Sequence, residues 1–449
     1  MVKDLTEGEV RPVLWTFTIP MFISVVFQQL YNIADSAIAG RFAGEDALAA
    51  VGASYPITMI FMAIAIGCNI GCAVVISGYF GAGDIRRMKT AVSTTVIASS
   101  ILALVLTIAG LFLSAPLLRL IHTPFNIFES GNYYLKIYIA GLVFVFLYNV
   151  ATGIFTSLGD SKTPLYFLIG SSLGNIALDL LFVRGFGWGV AGVGWATFIA
   201  QGAACILALV TLFKRITVMP SGHGRIMKYS HAMFKKICRI AVPSILQQSF
   251  VSVGNIFIQS LVNQFGSGVL AGYAAAVKLN TFTITSFTTL GNALSSFTAQ
   301  NLGAGKGSRV KKGFRAGIVM GWMIAVPFLV LFFFFGKNVL FLFMEDGSGE
   351  AVAAATEFLR IVSPFYLVIS VKLIADGVLR GSSAMTGFMA STFTDLILRV
   401  ILAYVFAGSY GSTGIWLSWP VGWSISAVLS LLYYRSTVQK INGNEVERR

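Results

Sequence analysis

What most limits the fold of this chain is the spacing of its apolar residues. Twelve long apolar runs can be marked, at 13–39, 50–78, 91–113, 129–157, 163–184, 190–213, 238–264, 270–298, 313–335, 351–379, 386–407 and 413–434. About 20 apolar residues are enough for a helix to cross a bilayer. Composition agrees: 56% of the 449 residues are hydrophobic and 11% are charged, where a soluble domain would carry about 25% charge. The runs predict an all-α integral membrane protein with twelve transmembrane helices.

A formal net charge of +14 would suit a nucleic-acid binder, but the placement of the charges argues against that partner. Arg86, Arg87 and Lys89 follow the second run, and Lys162 follows the fourth. Lys214, Arg215, Arg225, Lys228, Lys235, Lys236 and Arg239 lie between the sixth and seventh. Lys306, Arg309, Lys311, Lys312 and Arg315 follow the eighth, and Arg435 and Lys440 the twelfth. The other ends carry few bases, and those near Arg41 and Lys337 are offset by Glu45, Asp46, Glu345, Asp346 and Glu350. This positive-inside bias predicts a multi-pass protein of the cytoplasmic membrane with both termini in the cytoplasm. The first run is too long for a signal peptide and lacks a small-residue cleavage site.

The chain also repeats. A shift of 223 residues carries Pro20 onto Pro243, Phe27 onto Phe250 and Asn32 onto Asn255, and Gly81-Ala82-Gly83 matches Gly303-Ala304-Gly305 with one residue of slip. The expected organisation is an N-lobe at 1–213, a cytoplasmic inter-lobe loop at 214–237 and a C-lobe at 238–449. An even number of spans per half makes the two six-helix lobes parallel repeats. Such halves can rock against each other around a substrate site.

Ionisable residues inside the runs are the candidate functional groups, because a buried charge costs several kcal/mol unless it is compensated. Gln28, Asn32 and Asp35 share one helical face of the first run. In the fifth run Asn175 and Asp179 are i, i+4, and Thr197 of the sixth is the nearest hydroxyl at comparable depth. The fourth run adds Tyr134 and Asn149. No Lys, Arg or His lies mid-run in this half, and Lys136 can snorkel from near an end. The second half differs: Ile258 stands at the Asp35 position, and Lys372/Asp376 and Asp395/Arg399 are i, i+4 pairs that can neutralise each other locally. Lys278 either faces a central cavity or pairs with Asp376. Two first-half carboxylates without a protein cation call for a mobile one, a proton or Na⁺. The alternative is a polar clamp of two protonated aspartates. Pro20 removes a backbone hydrogen bond within the first run and allows a bend.

Other chemistries lack their residues. Cys68, Cys72, Cys205 and Cys238 have no His or second Cys pair to complete a zinc set, and they read as small buried hydrophobes. Gly303-Ala-Gly-Lys-Gly-Ser308 departs from the phosphate-loop pattern, since Gly307 follows the Lys. His122, His223 and His231 lie in connections. Nothing points to catalysis, so the chain is expected to be neither an enzyme nor the holder of a cofactor, with no metal other than Na⁺.

The Gln-Gln-Leu-Tyr-Asn-Ile-Ala-Asp segment at 28–35, the paired Gly-Ala-Gly turns and Leu379-Arg380-Gly381 resemble the MATE multidrug and toxin extrusion transporters of bacteria. The resemblance covers nearly the whole chain. It implies a first-lobe cation site at Asp35, Asn175, Asp179 and Thr197, with Tyr134 and Asn149 as neighbouring hydrogen-bond partners and Pro20 at the bend of the first helix. The seventh run carries Gln247, Gln248 and Gln259 and no acid, which is closer to DinF-like than to NorM-like members.

The function this implies is secondary antiport by alternating access. Organic, often cationic and aromatic drugs or toxins leave while H⁺ or Na⁺ enters. Met59, Phe61, Met62, Phe144, Tyr148, Phe287 and Lys278 are candidates for the substrate cavity. A monomer in contact with membrane lipid is expected. The rivals are a lipid-linked sugar flippase, which needs a cationic cavity for pyrophosphate, and a non-transporting receptor, which has no use for unpartnered carboxylates.

Overall fold

A computed structural model describes residues 4–220, 226–341 and 349–447. His223, Arg225, Glu345 and Asp346 lie outside the described residues, as do the side chains of Glu45 and Asp46. The described chain forms helices α1 (Val10–Ile38), α2 (Glu45–Gly81), α3 (Ile85–Leu120), α4 (Phe125–Ala140), α5 (Leu142–Ser157), α6 (Lys162–Asp179) and α7 (Gly189–Val218). It continues with α8 (His231–Val262), α9 (Ser267–Gly303), α10 (Ser308–Leu340), α11 (Glu350–Val362), α12 (Tyr366–Gly381) and α13 (Met385–Glu447).

These thirteen helices account for the twelve expected spans. α4 and α5 are one run bent by 46° around Gly141. α11 and α12 are one run interrupted by a tight turn at Ser363–Phe365. α13 is two runs joined at Gly411, whose φ of 60° breaks the helix in a region that favours glycine. α9 is the most hydroxyl-rich span. Thr283, Thr285, Ser286, Thr288 and Thr289 each donate to the carbonyl four residues back, at 2.7–3.2 Å, which satisfies them without water. Nine described helices are long and apolar enough to cross a membrane, or ten with the bent pair. Basic residues end the apolar pattern but not the helix. α7 therefore runs on to Val218 and α8 begins at His231, and the connection is shorter than 214–237.

The chain divides into two compact units. One comprises Ile19–Ile245; the other comprises Leu5–Thr18 and the chain from Leu246 onward. The division runs through α1 and α8, within three residues of Pro20 and Pro243. Each unit is strapped by the segment that precedes one of these helices. In the second unit Leu5 is fully buried, and its N–H donates to Gln300 Oε1 at 3.0 Å. Lys306 Nζ donates to the Thr6 carbonyl at 2.9 Å and Arg309 to that of Gly8 at 2.8 Å. In the first unit Lys89 Nζ donates to the Met219 carbonyl at 2.6 Å, and the Ser230 N–H to Thr94 Oγ1 at 3.1 Å.

The Gly-Ala-Gly turns have Gly83 and Gly305 both at φ 69°, a conformation that favours glycine. Asp84 caps α3 by accepting from the Arg87 N–H at 2.9 Å. A buried carboxylate fixes the start of α6. Asp160 accepts from the Thr163 N–H at 3.0 Å, from the Thr163 hydroxyl at 2.6 Å and from Arg215. Burial pushes this carboxyl up, but the Thr163 hydroxyl and N–H and the Arg215 guanidinium outweigh it, so its pKa lies below the usual carboxylate value.

Candidate functional site

α1 and α6 bring Asp35 and Asp179 together within the first unit. The two carboxyl groups lie close enough to interact with each other. Asp179 is 1% exposed and Asn175 2%, while Asp35 is half-buried. Among the described residues no Lys, Arg or His forms an ion pair with either aspartate. Asp35 Oδ1 and Asp179 Oδ1 are buried and accept no hydrogen bond from a described group.

Asn175 organises the pair. In the amide orientation that satisfies both ends of the side chain, its nitrogen donates to Asp179 Oδ2 at 2.8 Å and to the Tyr31 hydroxyl at 2.9 Å. Its oxygen accepts from the Thr197 N–H at 3.0 Å. α7 thus fixes the amide, the amide orients Asp179, and a phenol from α1 closes the group. Tyr134 of α4 lies close to both carboxyls and packs against Ala39, Val183 and Val193. Both α1 and α6 pass directly into a wide π-helical turn, at Ala39–Ala43 and at Leu180–Gly185. Such turns are rare and concentrate at functional sites.

Tyr31 is the site neighbour that the sequence analysis missed. It stands four residues before Asp35, so the i, i+4 rule that paired Asn175 with Asp179 also pairs Tyr31 with Asp35. Gln28 and Asn32, chosen for the same face, are exposed, and among the described residues neither hydrogen-bonds to the pair. Asn149 donates to its own helix, to the Val145 carbonyl at 2.9 Å. Pro20 is buried in α1, and its carbonyl accepts from the Ser24 hydroxyl at 2.9 Å.

The cavity candidates divide. Met59, Met62, Phe144 and Tyr148 are partly exposed and belong to the first unit. Phe61 is 8% exposed and Phe287 0%. Each is packed in the core of its own unit. Lys278 is exposed on α9 and does not pair with Asp376, whose partners are Lys372, Ser391 and Ser430. Nor do Asp395 and Arg399 form the expected ion pair. Asp395 faces Lys372 at 3.9 Å, and Arg399 lies 4.4 Å over the Trp419 ring.

The MatE family model matches this chain twice, at residues 20–181 and 243–405. The chain belongs to the MatE family. The two matches start 223 residues apart, the repeat offset seen between Pro20 and Pro243. Similar proteins include the probable multidrug resistance protein YpnP of Bacillus subtilis, 29% identical over 96% of both chains. Another is the multidrug export protein MepA of Staphylococcus aureus, 21% identical over 93% of this chain and 91% of that protein. Among solved structures, a MOP superfamily transporter from Pyrococcus furiosus superposes with a TM-score of 0.91 at 24% identity, covering 98% of both chains. An outward-facing multidrug resistance MATE transporter superposes equally well, also at 24% identity. The fold of the MatE chain is therefore that of the MATE transporters, as expected from its runs and turns.

Proposed function

We propose that this protein is a secondary antiporter of the cytoplasmic membrane. It exports organic, cationic and aromatic compounds while a proton enters, and Asp35 and Asp179 are the coupling groups. The observation that carries this is a carboxyl pair, Asp179 buried and Asp35 half-buried, without an ion-paired base among the described residues. Two carboxylates that close in a low dielectric cannot both stay ionised without a counter-charge. Asn175 turns its N–H₂ toward Asp179, which suits an anion or a shared proton better than a Na⁺ ion seeking oxygen ligands. Na⁺ is the second reading, favoured by the free carboxylate oxygens alone.

Protonation neutralises the pair and lowers the cost of closing helix packing over it. Deprotonation restores the charge and favours the form in which water or a cationic compound reaches it. Thr197, Asn175, Tyr31 and Tyr134 hold the carboxyls in place. Pro20, which gives α1 one hydrogen bond fewer, is the point where the helix yields. Met59, Met62, Phe144 and Tyr148 offer soft and aromatic surface suited to varied organic cations. The names of the relatives from Bacillus and Staphylococcus support the same assignment.

The test is efflux of a fluorescent cationic dye from proteoliposomes with ΔpH and ΔNa⁺ imposed separately. ΔpH alone is expected to drive efflux, and Asp35→Asn or Asp179→Asn to abolish it. Full coupling in Asp35→Asn would refute the assignment, and dependence on ΔNa⁺ alone would transfer it to the second ion.

A further inference from the structure

The second unit contains a buried carboxylate pair of its own, but with a base between the two. Lys372 on α12, 2% exposed, places Nζ 2.9 Å from Asp376 Oδ2 and 3.9 Å from Asp395 Oδ2. Asp376 Oδ1 accepts from the hydroxyls of Ser391 at 3.1 Å and Ser430 at 2.6 Å. The two nearby guanidiniums lie over rings and form no ion pair with these carboxylates. Arg380 is 5.3 Å over Phe388, and Arg399 is 4.4 Å over Trp419. The family offset of 223 residues pairs Lys372 with Asn149, a neutral side chain in the first unit.

We infer that this is a monovalent-cation site whose occupant is built into the chain. The Lys372 ammonium stands where a free cation would otherwise be held, between Asp376 Oδ2 and Asp395 Oδ2, while Ser391 and Ser430 hold Asp376 by its other oxygen. Such a pair of hard, anionic oxygen donors suits a small monovalent cation or a primary ammonium ion. An ammonium on a four-carbon stem is tethered there by the chain itself. Resting on the function proposed above, it follows that the second unit takes up no coupling ion, and that each cycle is driven through the Asp35/Asp179 pair alone.

The test uses full-length protein in detergent carrying Asp35→Asn and Asp179→Asn, so that the first unit contributes no ion dependence. Thermal unfolding is followed at constant ionic strength while choline is exchanged for Na⁺ or methylammonium. With Lys372 present, Tm is expected not to move. With Lys372→Ala added, Na⁺ or methylammonium is expected to raise Tm by about 3 °C, and Asp395→Asn on top of that to remove the rise. A Tm indifferent to both cations in the Lys372→Ala protein would overturn the inference, since Arg399 or Arg380 would then have taken over the carboxylates. So would a rise that survives Asp395→Asn. If Lys372→Ala yields no folded protein, Lys372→Ala with Asp395→Asn, which loses one charge of each sign, is expected to be recovered. Failure of both would make Lys372 a packing residue. None of these outcomes depends on whether the first-unit pair couples transport, because the readout is stability and that pair is already neutralised.

Discussion

Tyr31 and Asp160 show how much a single polar group can decide in an apolar setting. Tyr31 accepts from the same amide nitrogen that donates to Asp179, so its hydroxyl acts on the carboxyl pair through Asn175. Tyr31→Phe removes one hydrogen bond, worth about 1 kcal/mol. The apparent proton affinity for dye efflux is expected to change by roughly fivefold, with efflux retained, measured from the pH dependence of the initial rate. Asp160 is a structural counterpart, a buried carboxylate with a permanent base. Its folded pKa is depressed, so its contribution to stability is present above the unfolded value of about 4 and is lost as pH falls below it. Asp160→Asn is expected to cost about 2 kcal/mol at neutral pH by removing the carboxylate that pairs with Arg215. It should also flatten the acid limb of thermal stability against pH, read by unfolding in detergent.

At the scale of elements, close approach of backbones replaces the hydrophobic drive that lipid does not supply. α9 and α12 meet at Gly291 and Gly377, where a Cβ on Gly377 would lie 2.2 Å from the Gly291 carbonyl oxygen. Gly377→Ala must therefore push the helices apart, and about 2 kcal/mol of stability is expected to be lost. Gly174 of α6 has nothing within 4 Å of the corresponding point. Gly174→Ala is expected to leave Tm unchanged or raise it slightly, and comparing the two by thermal unfolding separates contact from helix propensity. The π-helical turns after α1 and α6 belong to this scale too. No residue pattern in Ala39–Ala43 or Leu180–Gly185 announces them, because a one-residue widening of the helix depends on what packs around it.

At the scale of the molecule, two copies of one repeat have been given different chemistry. The Asp35/Asp179 pair of the first unit has no ion-paired base among the described residues; the Asp376/Asp395 pair of the second has Lys372 between its members. If proton coupling resides in the first, Asp376→Asn should retain most dye efflux per folded molecule, while Asp35→Asn retains none. The comparison is made in the same vesicles, normalised to protein that elutes as a single species. Equal losses in the two variants would spread the coupling over both units.

The number and type of spans, the repeat and the presence of Asp35, Asn175, Asp179 and Thr197 in one half were all legible in the residues. A bilayer imposes length and apolarity on every crossing helix, and repeats keep their punctuation even when side chains change. Partner choice was not legible in the same way. Gln28, Asn32 and Asn149 satisfied helical spacing but do not touch the pair, Tyr31 does, Phe61 and Phe287 went into cores, and Lys372 was drawn between two helices rather than to Asp376 alone. Periodicity says which face of a helix a residue occupies. Only the packing of α1 on α6 and of α12 on α13 decides what that face meets, because side-chain reach and helix rotation are set by neighbours far away in the chain.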